Sequence, residues 1–169
     1  MEHHDIVAVM VESPKGFRQK FDYDEKEERV RLKKVLPAGL IFPFDFGIIP
    51  GTKGEDGSPL EIIIVDEHAT FPGCLVDCRI VGAIVCEQTE DDGRIMRDDC
   101  FLGVPLVSQL FSEVNNLTDL PKEIIDELEH FLNNYNDQAG KHFRITARLD
   151  APEAVQLVNI RKKDDRPDD

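Results

Sequence analysis

The sequence predicts an α+β fold, a small β-barrel of short strands that carries two late helices. Three observations lead there. Short apolar or alternating runs recur between turn residues through the first two thirds of the chain. Amphipathic helical periodicity begins only near residue 121, and the βαβ alternation of a doubly wound sheet is missing.

Residues 6–11 are a short apolar run, stopped by Ser13-Pro14-Lys15-Gly16, which reads as a strand and a turn. Lys20-Phe21-Asp22-Tyr23 alternates charged with aromatic residues, 29–35 alternates less cleanly, and the very polar 24–28 between them completes a hairpin. Residues 37–51 are rich in proline and glycine yet apolar, so they read as a loop that must pack against something, with Phe44 of the Phe42, Phe44, Phe46 series as core. Strands resume at 60–65 and at 74–86, the second preceded by Pro72-Gly73 and interrupted by Gly82, where a bulge or bend is expected. Residues 95–105 read as strand plus loop.

The clearest helix spans 121–135, where Ile124, Ile125, Leu128, Phe131, Leu132 and Tyr135 keep one apolar face, with Asp119 as the cap and Gly140 as the stop. Residues 142–149 make a last strand with Phe143, Ile145, Ala147 and Leu149 inward. Asp150 and Glu153 form a capping-box-like start around Pro152 for a second helix to about residue 162. A single domain thus covers 1–163, followed by a tail, 164–169, too charged to fold alone.

At 169 residues one domain buries roughly two thirds of the surface its unfolded chain exposes, so the core needs no staples. Its 34 acidic against 20 basic residues give a net charge of −14, which argues against nucleic-acid and anionic-membrane partners. An acidic protein that handles an anion must gather its few cations locally or bring metal ions. Cys74, Cys78, Cys86 and Cys100 lack the second close pair or histidines of a zinc site and read as free thiols in a reducing cytoplasm. No apolar stretch approaches the roughly 18 residues of a membrane span, residues 1–5 lack the regions of a signal peptide, and His3-His4 is too short to mark a tag.

Chemistry concentrates at Gly54-Glu55-Asp56-Gly57-Ser58-Pro59-Leu60-Glu61, where an acidic turn runs into a buried strand. Asp56 and Glu61 converge at the strand's mouth in this reading. Two carboxylates held close call for a divalent cation or for open solvent, and the octapeptide by itself favours the solvated acidic loop over a metal site.

Three collinear pieces together resemble the soluble inorganic pyrophosphatases of the common bacterial type. They are Phe42-Pro43-Phe44-Asp45-Phe46-Gly47-Ile48-Ile49-Pro50-Gly51-Thr52, then Glu55-Asp56-Gly57-Ser58-Pro59-Leu60-Glu61, then Pro72-Gly73-Cys74 with Val81-Gly82 following. Glu129-His130-Phe131-Leu132-Asn133-Asn134-Tyr135 and Gly140-Lys141 are similar to the family's late helix. The resemblance implies an OB-like five-stranded barrel, a homo-oligomer that is a hexamer in the bacterial type, and hydrolysis of pyrophosphate to two phosphates with Mg2+, Mn2+ or another divalent cation.

Carried over by position, the resemblance implies catalytic roles for Glu12, Asp56, Ser58 and Asp92. It implies metal binding by Asp56, Glu61, Glu87 and Asp92, and phosphate contacts from Lys20, Lys34, Arg94 and Tyr135. The family pattern D-G-D-P-x-D is broken, because Ser58 stands for the second aspartate and Glu61 for the third. Asp22 stands for a glutamate, Lys34 for an arginine and Arg94 for a lysine; Phe42 and Phe46 replace tyrosines, and Asn136 replaces the lysine that normally follows Tyr135. A serine is no base at neutral pH, and the base role is worth about 10² to 10⁴ in rate. These departures imply a slow or retargeted enzyme. Two alternatives stand beside it: a catalytically impaired homologue that binds a phosphorylated ligand or a protein partner, and a hydrolase of another phosphoanhydride.

Overall fold

Alternation along the first apolar run buries every second side chain, and Ile6–Ser13 forms β1 with Val7, Val9 and Val11 turned inward. The structure is a computed structural model that describes residues 6–163; residues 1–5 with His3-His4, and the charged tail, lie outside the described residues. β2 (Gln19–Asp24) and β3 (Arg29–Val35) pair as the expected hairpin, a separate two-stranded sheet.

Residues 37–51 are not all loop. Asp45–Ile49 is a strand, β4, paired antiparallel to β1 through Met10↔Ile48 and Val11↔Gly47. The flanking prolines and glycines hide it in the sequence, but Gly47 is what lets the two backbones meet. A Cβ there would stand 2.2 Å from the Met10 carbonyl oxygen. Asp45 is buried and anchors the neighbouring loops, accepting hydrogen bonds from Lys15 N (2.7 Å), Thr70 N (3.1 Å) and Thr70 Oγ1 (2.7 Å).

β5 (Leu60–Ile64) and β6 (Leu75–Thr89) follow as β-branched strands, and β6 runs three residues beyond the expected end, taking Glu87 out of the acidic loop. Residues 95–105 resolve into two strands, β7 (Ile95–Arg97) and β8 (Cys100–Pro105). The ring β1-β4-β5-β8-β6 closes by β6 pairing back to β1. Its only parallel pair among the described strands is β5 with β8, in register Glu61↔Cys100. The register of β6 against β8 slips between Ile80 and Gly82, the expected irregularity, and a Cβ on Gly82 would meet the Leu149 carbonyl at 2.6 Å.

A 3-10 turn, Leu117–Asp119, leads into α1 (Lys122–Gln138). Asp119 does not cap α1. Its carboxylate accepts from Asn115 N and Asn116 N, both at 3.0 Å, and so closes the 3-10 turn, while α1 starts on Pro121, whose fixed φ suits a helix entry. β9 (His142–Asp150) pairs with the far half of β6, and a bulge at Thr146 turns the alternation over. Phe143 and Ile145 therefore pack under α1, Leu149 packs on the opposite core, and Ala147 is exposed rather than inward. α2 (Ala151–Ile160) begins at Asp150 with Pro152 in its first turn, but without a side-chain capping bond.

Two cores result. One draws on all five ring strands and on Ala154 and Val158 of α2, so it fills the barrel. The other, with Ile63, Leu102, Leu128 and Leu132, lies between the barrel wall and α1. All four cysteines are free thiols, as expected.

Helix α1 ends on paired closures: Gly140 N donates to Asp137 O and Lys141 N to Asn136 O, each at 3.0 Å, with Gly140 at φ 72°. This is a Schellman motif, which requires the left-handed glycine. Gly140→Ala is expected to lower stability by about 1 to 2 kcal/mol. A urea midpoint equal to that of the wild type would contradict the motif's role.

Candidate active site

Where β5 and β8 run parallel, the loops that enter them lie side by side. Asp56 comes from the turn before β5, Glu61 from β5 itself, and Asp98 from the link between β7 and β8. The turn is built by the sequence. Gly54 N donates to Ser58 O (2.8 Å), Asp56 Oδ1 accepts from Ser58 N (2.9 Å), and Gly57 takes the positive φ that Asp-Gly favours. Buried Thr52 ties its base, accepting from Leu60 N (3.0 Å) and donating to Ile49 O (2.6 Å). Glu55 straps it to β7 by accepting from Arg97 N at 2.7 Å.

These groups open onto one cavity of about 190 Å3. Its polar side carries Glu12, Lys20, Asp22, Asp56, Glu61 and Asp98, and its far side carries Phe42, Phe46, Phe131 and Tyr135. The aromatic side is a stack: the Phe42, Phe46 and Phe131 centroids lie 5.2 to 5.5 Å apart, and Phe131 to Tyr135 is 5.9 Å. Phe42 is core, packed with Leu36 and Phe131.

Crowded carboxylates shape the electrostatics. Burial, aided by Asp22, pushes the Glu12 carboxyl up to about 7 against the opposing Tyr23 N–H bond of 2.7 Å. Glu61 is exposed by surface area, because the cavity admits solvent, yet protein surrounds it closely. Loss of bulk water, then Asp98, holds its carboxyl above the ordinary range. Asp98 is raised as well, by burial and then by Asp56, though Gln88 Nε2 donates to it at 2.7 Å. Burial opposes the charge on Lys20, but the 2.8 Å hydrogen bond to Asp22 prevails and raises its ammonium.

The expected site residues divide. Glu12, Lys20, Asp56, Glu61 and Tyr135 line the cavity together. Ser58 opens onto an adjoining recess that shares Glu12, Lys20 and Glu61. Lys34 stands beside the cavity with its ammonium 4.9 Å from the Tyr135 ring centroid. Glu87 is outside, paired with Arg144 at 3.0 Å. Asp92 and Arg94 are also outside, bound to one another at 2.6 Å in the exposed β6–β7 turn.

Comparison with known proteins gives a consistent result. A family model for inorganic pyrophosphatase matches residues 9–164. The chain belongs to the inorganic pyrophosphatase family. The inorganic pyrophosphatase of Halalkalibacterium halodurans is 32% identical over 155 residues, 91% of each chain. That of Methanosarcina acetivorans is 31% identical over 162 residues, 96% of this chain and 94% of the relative. The crystal structure of inorganic pyrophosphatase from Thermus thermophilus superposes with a TM-score of 0.85 at 28% identity, covering 94% of this chain and 90% of that one. The five-stranded, OB-like barrel with two helices is that family's fold.

For a member of this family the donor set fits a hard divalent cation. Asp98 and Asp56 raise the Glu61 carboxyl and Asp56 raises that of Asp98, so these oxygens sit close enough for a positive charge among them to relieve their repulsion. Among the described residues no three His, Cys, Asp or Glu side chains close into a ready-made cage. Magnesium suits such an open set, since it keeps waters and takes one or two carboxylates together with substrate phosphates.

Asp98, Gln88 and Arg97 line the cavity without having been singled out in the sequence, and Lys141, named there only within the late-helix resemblance and given no role, lines it too. A signal for Asp98 existed: it immediately precedes a buried apolar strand, as the Asp56 turn does, whereas Asp92-Gly93 is a turn dipeptide.

Proposed function

We propose that this chain hydrolyses inorganic pyrophosphate to two phosphates, using Mg2+ or another divalent cation such as Mn2+. The observation that carries the reading is the single cavity in which Glu12, Asp56, Glu61 and Asp98 face Lys20, Arg97 and Lys141 in a chain of this family. We assign the metal-binding carboxylates as Asp56, Glu61 and Asp98, in place of Glu87 and Asp92, which lie outside the cavity. When bound, the cation neutralises charge on the phosphate oxygens and acidifies water.

The chain's own groups divide the remaining work. Lys20, Arg97 and the Tyr135 hydroxyl hold phosphate oxygens, and Lys34 supports the Tyr135 ring from one face. Ser58 carries no charge at neutral pH, so the proton of the attacking water passes to a carboxylate at the mouth, Asp56 or Glu61. The water oxygen forms the new P–O bond as the bridging oxygen leaves with its electron pair. The Phe42, Phe46 and Phe131 wall donates no hydrogen bond, which favours slower turnover than a wall of phenols.

The test is phosphate release from pyrophosphate with Mg2+, Mn2+, Zn2+ or Co2+. Release above a metal-only blank with at least one of them is expected, and none with any of them sinks the reading. The loss of charge at Ser58 and Asn136 favours a second reading, a homologue that binds a phosphorylated ligand without turnover. Calorimetry with pyrophosphate separates the two.

No described helix is long and apolar enough to cross a membrane. We place the protein in the cytoplasm as a homo-oligomer, a hexamer in the bacterial manner. Support comes from the exposed apolar side chains Phe71, Leu75, Val107 and Leu110.

A further inference from the structure

We propose that Lys141 is the substrate-gripping cation of the cavity, delivered by the turn after α1 rather than by the helix. This assignment rests on the hydrolase reading above. Three cations line the cavity, and two are already committed. Lys20 Nζ lies 2.8 Å from Asp22 Oδ1, and Arg97 Nε lies 2.7 Å from Asp99 Oδ2. Lys141 has no carboxylate within ion-pair distance among the described residues. An entering polyanion therefore meets one uncommitted ammonium, and it must share the other two with carboxylates they already hold. Lys34, the neighbouring lysine, does not line the cavity and lies over the Tyr135 ring.

The helix terminus explains how a side chain beyond α1 reaches the wall. In the Schellman motif the residue after the left-handed glycine folds back onto the third residue from the helix end, here Lys141 onto Asn136 through the 3.0 Å N–H···O bond. Both residues line the cavity. Asn136 is buried and neutral, and its Nδ2 donates to the Leu132 carbonyl at 2.8 Å. The helix thus presents an uncharged amide, and the turn places beside it an ammonium without an ion pair among the described residues. A lysine on position 136 or 141 would serve the same phosphate.

Steady-state phosphate release and calorimetric titration with methylenediphosphonate, a non-hydrolysable pyrophosphate analogue, in excess Mg2+ test this on full-length protein. K141Q is expected to raise KM and the analogue's Kd by about tenfold or more, while K141R stays within a few-fold. Lys141 is exposed, so a wild-type melting curve is expected for both. Recovery of the lost affinity in N136K/K141Q supports the shared wall. No recovery in a double variant that melts like the wild type overturns it, as does K141Q with wild-type KM and Kd. Absence of turnover with tight, Lys141-dependent analogue binding sinks the hydrolase reading and leaves the cation assignment standing. Turnover independent of Lys141 does the reverse.

Discussion

Asp98→Asn is expected to lower kcat/KM for pyrophosphate by about 10² to 10³, with an increased Mg2+ requirement, while Asp92→Asn stays within about twofold of the wild type. The two aspartates are six residues apart in sequence and differ in everything that matters to a phosphate. Asp98 lines the cavity beside Asp56 and Glu61, held by Gln88 Nε2 at 2.7 Å. Asp92 spends its carboxylate on Arg94, accepting from Arg94 N (3.0 Å) and Nε (2.6 Å) on an exposed turn. Asparagine at 98 is nearly isosteric and still accepts from Gln88, so the loss reports charge rather than fold. Equal losses in the two variants, or none in Asp98→Asn, would overturn the placement.

Gly47→Ala is expected to destabilise the protein by more than about 4 kcal/mol, at the rare end of single substitutions. The added Cβ meets backbone on every side, with Met10 O at 2.2 Å, Met10 C at 3.0 Å and Val11 Cα at 3.2 Å. No rotamer relieves that contact, so β4 must part from β1 and open the ring. Gly103→Ala is the control. Its nearest neighbour is the tip of Ile62, Cδ1 at 2.9 Å, with Cys78 Cβ at 3.1 Å, which yield at a cost of about 1 to 3 kcal/mol. Urea titration of the three proteins checks both, and a Gly47→Ala midpoint no lower than that of Gly103→Ala contradicts the close approach.

Much of this architecture was legible in the chain because its signals are local. The apolar runs at 6–11 and 60–65, the turn at Ser13-Pro14-Lys15-Gly16 and the apolar face of α1 each declare themselves within one window. β4 was not legible, because its reason to be a strand is the Gly47 approach to a backbone 37 residues earlier. The site follows the same division. Asp56 and Glu61 sit on a turn and strand that the sequence announces, whereas Asp98 joins them only through the parallel pairing of β5 with β8. Nothing local marks that pairing. Lys141 was hidden differently, since its position depends on a helix terminus folding back on itself.

The ring's order of pairing also governs how the chain is made. β1 is the first strand to be synthesised, yet its partners are β4 and β6, and the circle closes only once β8 joins β5 to β6. At about 5 to 20 residues per second, a nascent chain takes roughly 5 to 20 s to reach residue 105. Through that interval β1 waits for β6 and β5 waits for β8, each with an unpaired edge. Topologies dominated by such distant pairings also refold slowly, in milliseconds to seconds. The hazard for this protein thus lies at the ribosome, where three free cysteines destined for burial, Cys78, Cys86 and Cys100, are still exposed beside open strand edges.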